Sequence, residues 1–136
     1  AFANHASPLF AWREEHNPRD LQPKYVGDMP HNWASAEFVR LVVHLLAIDR
    51  DRQLHLFEGM PAEWLQPGME TQLRGVNTVF GKLTFRLQVN QTGDKATLEV
   101  DPLGGSNCEG LYIHLGKGAP LRLNPSQKNK LVLSLH

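Results

Sequence analysis

The chain has 136 residues, of which 41% are apolar, and 14 Lys plus Arg balance 14 Asp plus Glu for a formal charge of zero. A chain of this size predicts a single domain with apolar content enough for a real core. Balanced charge with no basic cluster argues against a nucleic-acid partner, because neutralising phosphates takes concentrated Lys and Arg.

Residues 1–31 are poor in periodicity and broken by Pro8, Pro18, Pro23 and Pro30. They read as an irregular leader, and a stretch this long without structure is expected to be functional or to lie on a partner. The stretch Asp28–Ala47 then carries the one long helical pattern. Phe38, Leu41, Val42 and Leu45 form one apolar face, and Ala36, Val39, Val43 and Leu46 an adjoining one. Only Glu37, Arg40 and His44 remain as a polar stripe, which predicts a helix buried over most of its circumference. Asn32 or Ser35 is expected to cap it, Glu37 to sit in the first turn, and the charged run Asp49–Arg52 to follow its end near Ile48.

From Gln53 the period changes to two. Strands are predicted at 53–57, 70–73, 81–89, 95–100, 111–115, 120–123 and 130–135, separated by Gly, Pro and Asn turns. In the first, Leu54 and Leu56 should face opposite to His55 and Phe57. The clearest alternation is Gly81–Val89, with Leu83, Phe85, Leu87 and Val89 inward. One short turn is expected at Pro61–Leu65, with proline at its start. The predicted fold class is therefore mainly β: an antiparallel β-sandwich preceded by one long buried α-helix and an irregular N-terminal segment. The domain boundary falls at 50/51, with loop and helix in 1–50 and the sandwich in 51–136. With the sandwich covering one side of the helix, its other side calls for a further partner: another subunit, or more of a longer chain.

The single cysteine, Cys108, excludes an intrachain disulfide and a Cys-based metal site, leaves the compartment open, and is most simply a small buried residue. No run reaches the roughly 18–20 apolar residues of a membrane span, so no membrane partner is expected. The start, AFANHASPLFAW, lacks the basic leader and apolar core of a signal peptide. Beginning at Ala1, the chain fits either a processed terminus or a piece of something longer. None of the seven histidines pairs at i, i+4, and there is no HExxH, so no metal site is expected. No phosphate-binding glycine loop precedes a helix, and no cofactor is expected.

Two clusters carry possible chemistry. In Trp12-Arg13-Glu14-Glu15-His16-Asn17, paired carboxylates stand beside an aromatic, the combination that stacks on a sugar and activates water; a solvated charge run is the commoner meaning of such a string. Pro30-His31-Asn32-Trp33 at the helix start presents an imidazole, an amide and an indole together; a cap beside a core tryptophan explains it equally well.

The run Tyr25–Phe38 (YVGDMPHNWASAEF), with Leu54-His55-Leu56, Gly59-Met60-Pro61-Ala62-Glu63-Trp64-Leu65 and Thr78-Val79-Phe80-Gly81, resembles the C-terminal end of bacterial six-hairpin glycoside hydrolases. These are (α/α)6-barrel enzymes of the α-L-rhamnosidase and trehalase-like kind, and the resemblance spans residues 7–115. It implies that residues 1–50 are the last piece of a helical barrel and 51–136 an accessory sandwich. Glu14 or Glu15 would be the catalytic base, and Trp12, His31, Asn32 and Trp33 would bind carbohydrate. The rest of the barrel, or another subunit, would cover the helix at 33–47. The remaining hairpins and any general acid lie outside this sequence, so the isolated chain is expected to be inactive. The competing expectation is a stand-alone carbohydrate-binding or protein-interaction sandwich.

Overall fold

The computed structural model describes residues 31–105, 107–116 and 118–135. The chain divides into two compact units, Ala1–Val43 and His44–His136. The predicted boundary at 50/51 falls inside a hairpin of the second unit.

Helix α1 spans Asn32–Leu46. Neither expected cap acts as one: the helix already begins at Asn32, and the Ser35 hydroxyl and backbone N–H both donate to the His31 carbonyl four residues back, at 3.2 and 3.1 Å. Glu37 lies beyond the first turn, which holds no acidic residue, and pairs instead with Arg40. Leu46 is the one buried residue of the helix, and Trp33, Val39 and Leu41 are exposed. Burial over most of the circumference is thus met only in the last turn. With about 100° of rotation per residue, Val39 and Leu41 flank the Glu37–Arg40–His44 stripe on opposite sides.

Helix α1 passes straight into strand β1, Ala47–Arg50, where the sequence predicts a helix end and a charged turn. Ala47 is buried, and β1 forms a two-residue hairpin with β2, Gln53–Leu56. Asp51 in that turn takes a left-handed φ of 53°, which a short polar side chain tolerates. A 3-10 turn at Ala62–Leu65 follows, as its proline predicts. Then come β3 (Glu70–Thr78), β4 (Gly81–Val89), β5 (Lys95–Val100), β6 (Gly110–Ile113), β7 (Leu121–Leu123) and β8 (Asn129–Ser134).

Strand β3 runs five residues past its predicted end at Leu73. Its register with β4 shifts between Leu73 and Val76, around Gly75 at φ 63°, so a bulge interrupts the alternation that the sequence pattern depends on. The strands build two sheets, ordered β1-β2-β6-β7 and β3-β4-β5-β8. All neighbours are antiparallel except β2 and β6, which run parallel.

Period-two patterning puts the core between these sheets. Leu54, Leu56, Leu111 and Ile113 come from the first sheet; Leu83, Phe85, Leu87, Val89, Leu98 and Val100 come from the second. The outer face of the second sheet is charged, with Glu70–Arg86, Glu99–Lys130 and Asp101–Lys128 ion pairs. Where β4 begins, Gly81 at φ 114° lets two backbones meet. A Cβ there would stand 2.1 Å from the Leu103 carbonyl oxygen, a position only glycine can hold.

Phe57 departs from the predicted alternation. It lies just past β2 with φ 67°, and it is buried on the same side as Leu54 and Leu56. Its ring meets that of Phe85 edge-on, 4.9 Å between centroids, which ties β2 to the facing sheet. A bulky residue in the left-handed region costs roughly 1–2 kcal/mol, and burial of the ring offsets it. The Phe57 N–H donates to the Leu46 carbonyl at 2.8 Å, holding the distorted turn to the end of α1.

Candidate functional site

The inversion at Phe57 decides where the next side chain goes. In plain extended backbone Glu58 would share a face with Leu56. Instead it joins His55 on the outer face of the β1-β2-β6-β7 sheet. There His55, Glu58 and His114 present ligand atoms that all lie within 4.8 Å of one another.

His55 and His114 are 59 residues apart in sequence, and the parallel pairing of β2 with β6 brings them together. His55 sits opposite Tyr112 in the ladder, and the two rings stack, 5.2 Å between centroids and 15° between planes. The His114 N–H donates to the Leu56 carbonyl at 3.0 Å, extending the ladder one step beyond β6. The result is a 2.8 Å hydrogen bond between His55 Nδ1 and His114 Nε2, one nitrogen donating and the other accepting. Arg50, outward on β1, grips the Glu58 carboxylate with two nitrogens at 2.9 and 2.7 Å. Burial, His114 and Arg50 hold the His55 imidazole below its ordinary range against the opposing influence of Glu58, so its neutral form prevails at pH 7.

The residues singled out from sequence fare differently. Trp12, Glu14 and Glu15 lie outside the described residues. His31 and Trp33 stand near each other at the start of α1, ring centroids 6.4 Å apart and planes at 56°. Asn32 and Trp33 are exposed, Trp33 at 70%. The tryptophan is therefore not the core residue that the simpler sequence interpretation requires. Cys108 is half-buried in the loop before β6, its thiol donating to the Gly110 carbonyl at 3.3 Å. It borders a groove of about 430 Å³ with Arg122, whose guanidinium donates to the Glu109 carbonyl at 2.6 Å, and with Glu109, whose carboxylate is paired to Arg52 at 2.9 Å. Both charged groups there are already engaged.

Sequence spacing misses the His55–Glu58–His114 cluster. His55 and His114 each stand alone between apolar neighbours, as Leu54-His55-Leu56 and Ile113-His114-Leu115, the pattern of single outward residues on strands. Which strands pair is not written in local period, so no spacing in the sequence signals the cluster. Tyr112 turns outward beside the two histidines, stacked on His55. Among the described residues no helix is long and apolar enough to cross a membrane. A scan of protein-family models, a search of curated proteins and a search of solved structures each found no match.

Proposed function

We propose that this chain is the C-terminal accessory portion of a carbohydrate-active glycoside hydrolase, inactive on its own: a β-sandwich whose leading helix packs on further helical structure of the catalytic barrel. The observation that carries this is the exposure of Trp33, Val39 and Leu41 on α1. A helix with apolar residues on both sides of a narrow polar stripe is suited to cover that the described residues do not supply. The order of one helix running directly into a sandwich is also the order that the sequence resemblance implies. On this reading, Trp12, Glu14, Glu15, His31, Asn32 and Trp33 belong to a sugar pocket completed by the rest of the barrel. Carbohydrate and that barrel are the partners.

The test is the coding sequence upstream of Ala1. Several hundred residues of helical hairpins would support the proposal, and Glu14→Gln and Glu15→Gln would then be assayed in the full enzyme for loss of glycoside hydrolysis. A start codon immediately upstream would refute it. A stand-alone sugar-binding sandwich has less support. Phe85 and Tyr112 are the two aromatic residues of the described strands; Phe85 is buried and Tyr112 lies against His55. Neither offers the open ring on a sheet face that sugar stacking needs.

A further inference from the structure

We propose that His55, Glu58 and His114 form a binding site for one divalent transition-metal ion, with zinc the best fit. This inference is independent of the hydrolase reading, because every residue in it belongs to the sandwich.

The donor set is the first support. Two imidazoles and one carboxylate are a ligand combination that zinc accepts, with three protein donors leaving a fourth tetrahedral position for water or an outside ligand. Hard cations such as calcium and magnesium prefer all-oxygen sets and are disfavoured here.

Distances are the second. Zinc–nitrogen bonds of about 2.0–2.1 Å at a tetrahedral angle put the two ring nitrogens about 3.3 Å apart. His55 Nδ1 and His114 Nε2 are 2.8 Å apart, so the rings need to open by only about 0.5 Å, which small side-chain rotations supply. Zinc then replaces a single hydrogen bond between the two rings. The carboxylate of Glu58 is within the same 4.8 Å sphere.

The third support is how the fold holds these donors. His55 and His114 project from adjacent paired strands, which fixes their separation more tightly than a loop would. Glu58 reaches them only because Phe57 adopts its left-handed conformation, and backbone strain of this kind is concentrated at functional sites. Around the donors, the Tyr112 ring stacks on His55 and Arg50 grips Glu58. Both contacts restrict the orientation of the donors they touch. The charge of Arg50 opposes a bound cation, so the site is built for exchangeable rather than permanent occupancy.

The test is calorimetric titration of zinc chloride into the full 136-residue chain, with 15N spectra of the histidine rings recorded in parallel. The expected result is one zinc per chain, with the ring nitrogens of His55 and His114 shifting on addition. Glu58→Gln, which keeps size and shape, should weaken binding at least tenfold, and His114→Gln more. Unchanged amide spectra outside the site would establish that both variants fold. The proposal is overturned by the absence of saturable binding, by shifts confined to His5, His16, His31, His44 or His136, or by zinc affinity that survives His114→Gln in a folded chain.

Discussion

Phe57 is the place where packing and backbone strain oppose each other, and substitution there separates the two. Phe57→Ala removes a ring that is 2% exposed and that meets Phe85 at 4.9 Å. Truncations of this kind cost about 3–5 kcal/mol. Alanine keeps the strain, because at φ 67° any Cβ is crowded. Phe57→Gly loses the same packing but relieves roughly 1–2 kcal/mol of left-handed strain, against about 0.4–1 kcal/mol of added unfolded-state entropy. The glycine variant should therefore be the more stable of the two by roughly 0.5–1 kcal/mol, the reverse of the order at an ordinary extended position. Urea unfolding measures it: with slopes of about 1–3 kcal/mol per molar, the alanine variant should lose on the order of 2 M in midpoint. An alanine variant as stable as the glycine variant, or more so, would refute the claim that burial of the ring holds a strained backbone.

Gly81→Ala, with its Cβ 2.1 Å from the Leu103 oxygen, should cost well over about 1 kcal/mol. Gly75→Ala meets nothing within 4 Å and should cost only its left-handed strain, about 1 kcal/mol; equal losses in urea midpoint for the two would contradict the steric account. Val39→Asp, at a side chain 61% exposed, should change the unfolding free energy of the isolated chain by less than about 0.5 kcal/mol. In a longer protein that buries this face it should be strongly destabilising, and comparison of the two forms by thermal unfolding checks the covered-helix reading. Hydrogen bonds from Thr92 and then Asn90 hold the Asp94 carboxyl below its usual range. A depressed folded-state value means that its stabilising contribution is present above about pH 4 and is lost as pH falls through the folded value. Asn90→Ala should therefore flatten the acid limb of the stability–pH curve, and a limb unchanged between pH 2 and 5 would count against that origin.

Much of the sandwich is legible in the sequence because its strands report their burial locally. Leu83, Phe85, Leu87 and Val89 alternate with polar residues, and all four are buried; Ala96, Leu98 and Val100 behave the same way. The bulge at Gly75 hides half of β3, since a register shift breaks the period that reveals a strand. The apolar run Leu45–Ile48 fits helix and strand equally well, and the hairpin with β2 resolves it as the end of one and the start of the other.

By itself, then, the sequence determined the fold class, the helix, most of the strands and the inward face of the best ones, because a side chain's preference for core or water is set by its own chemistry and its place in the repeat. Only the tertiary structure decided that β2 and β6 run side by side in parallel, that Phe57 turns inward, and that Glu58 meets two histidines 59 residues apart. Local period tells which face a residue takes but not which strand lies next to it. That choice belongs to the packing of the whole core, and the candidate metal cluster exists only once it has been made.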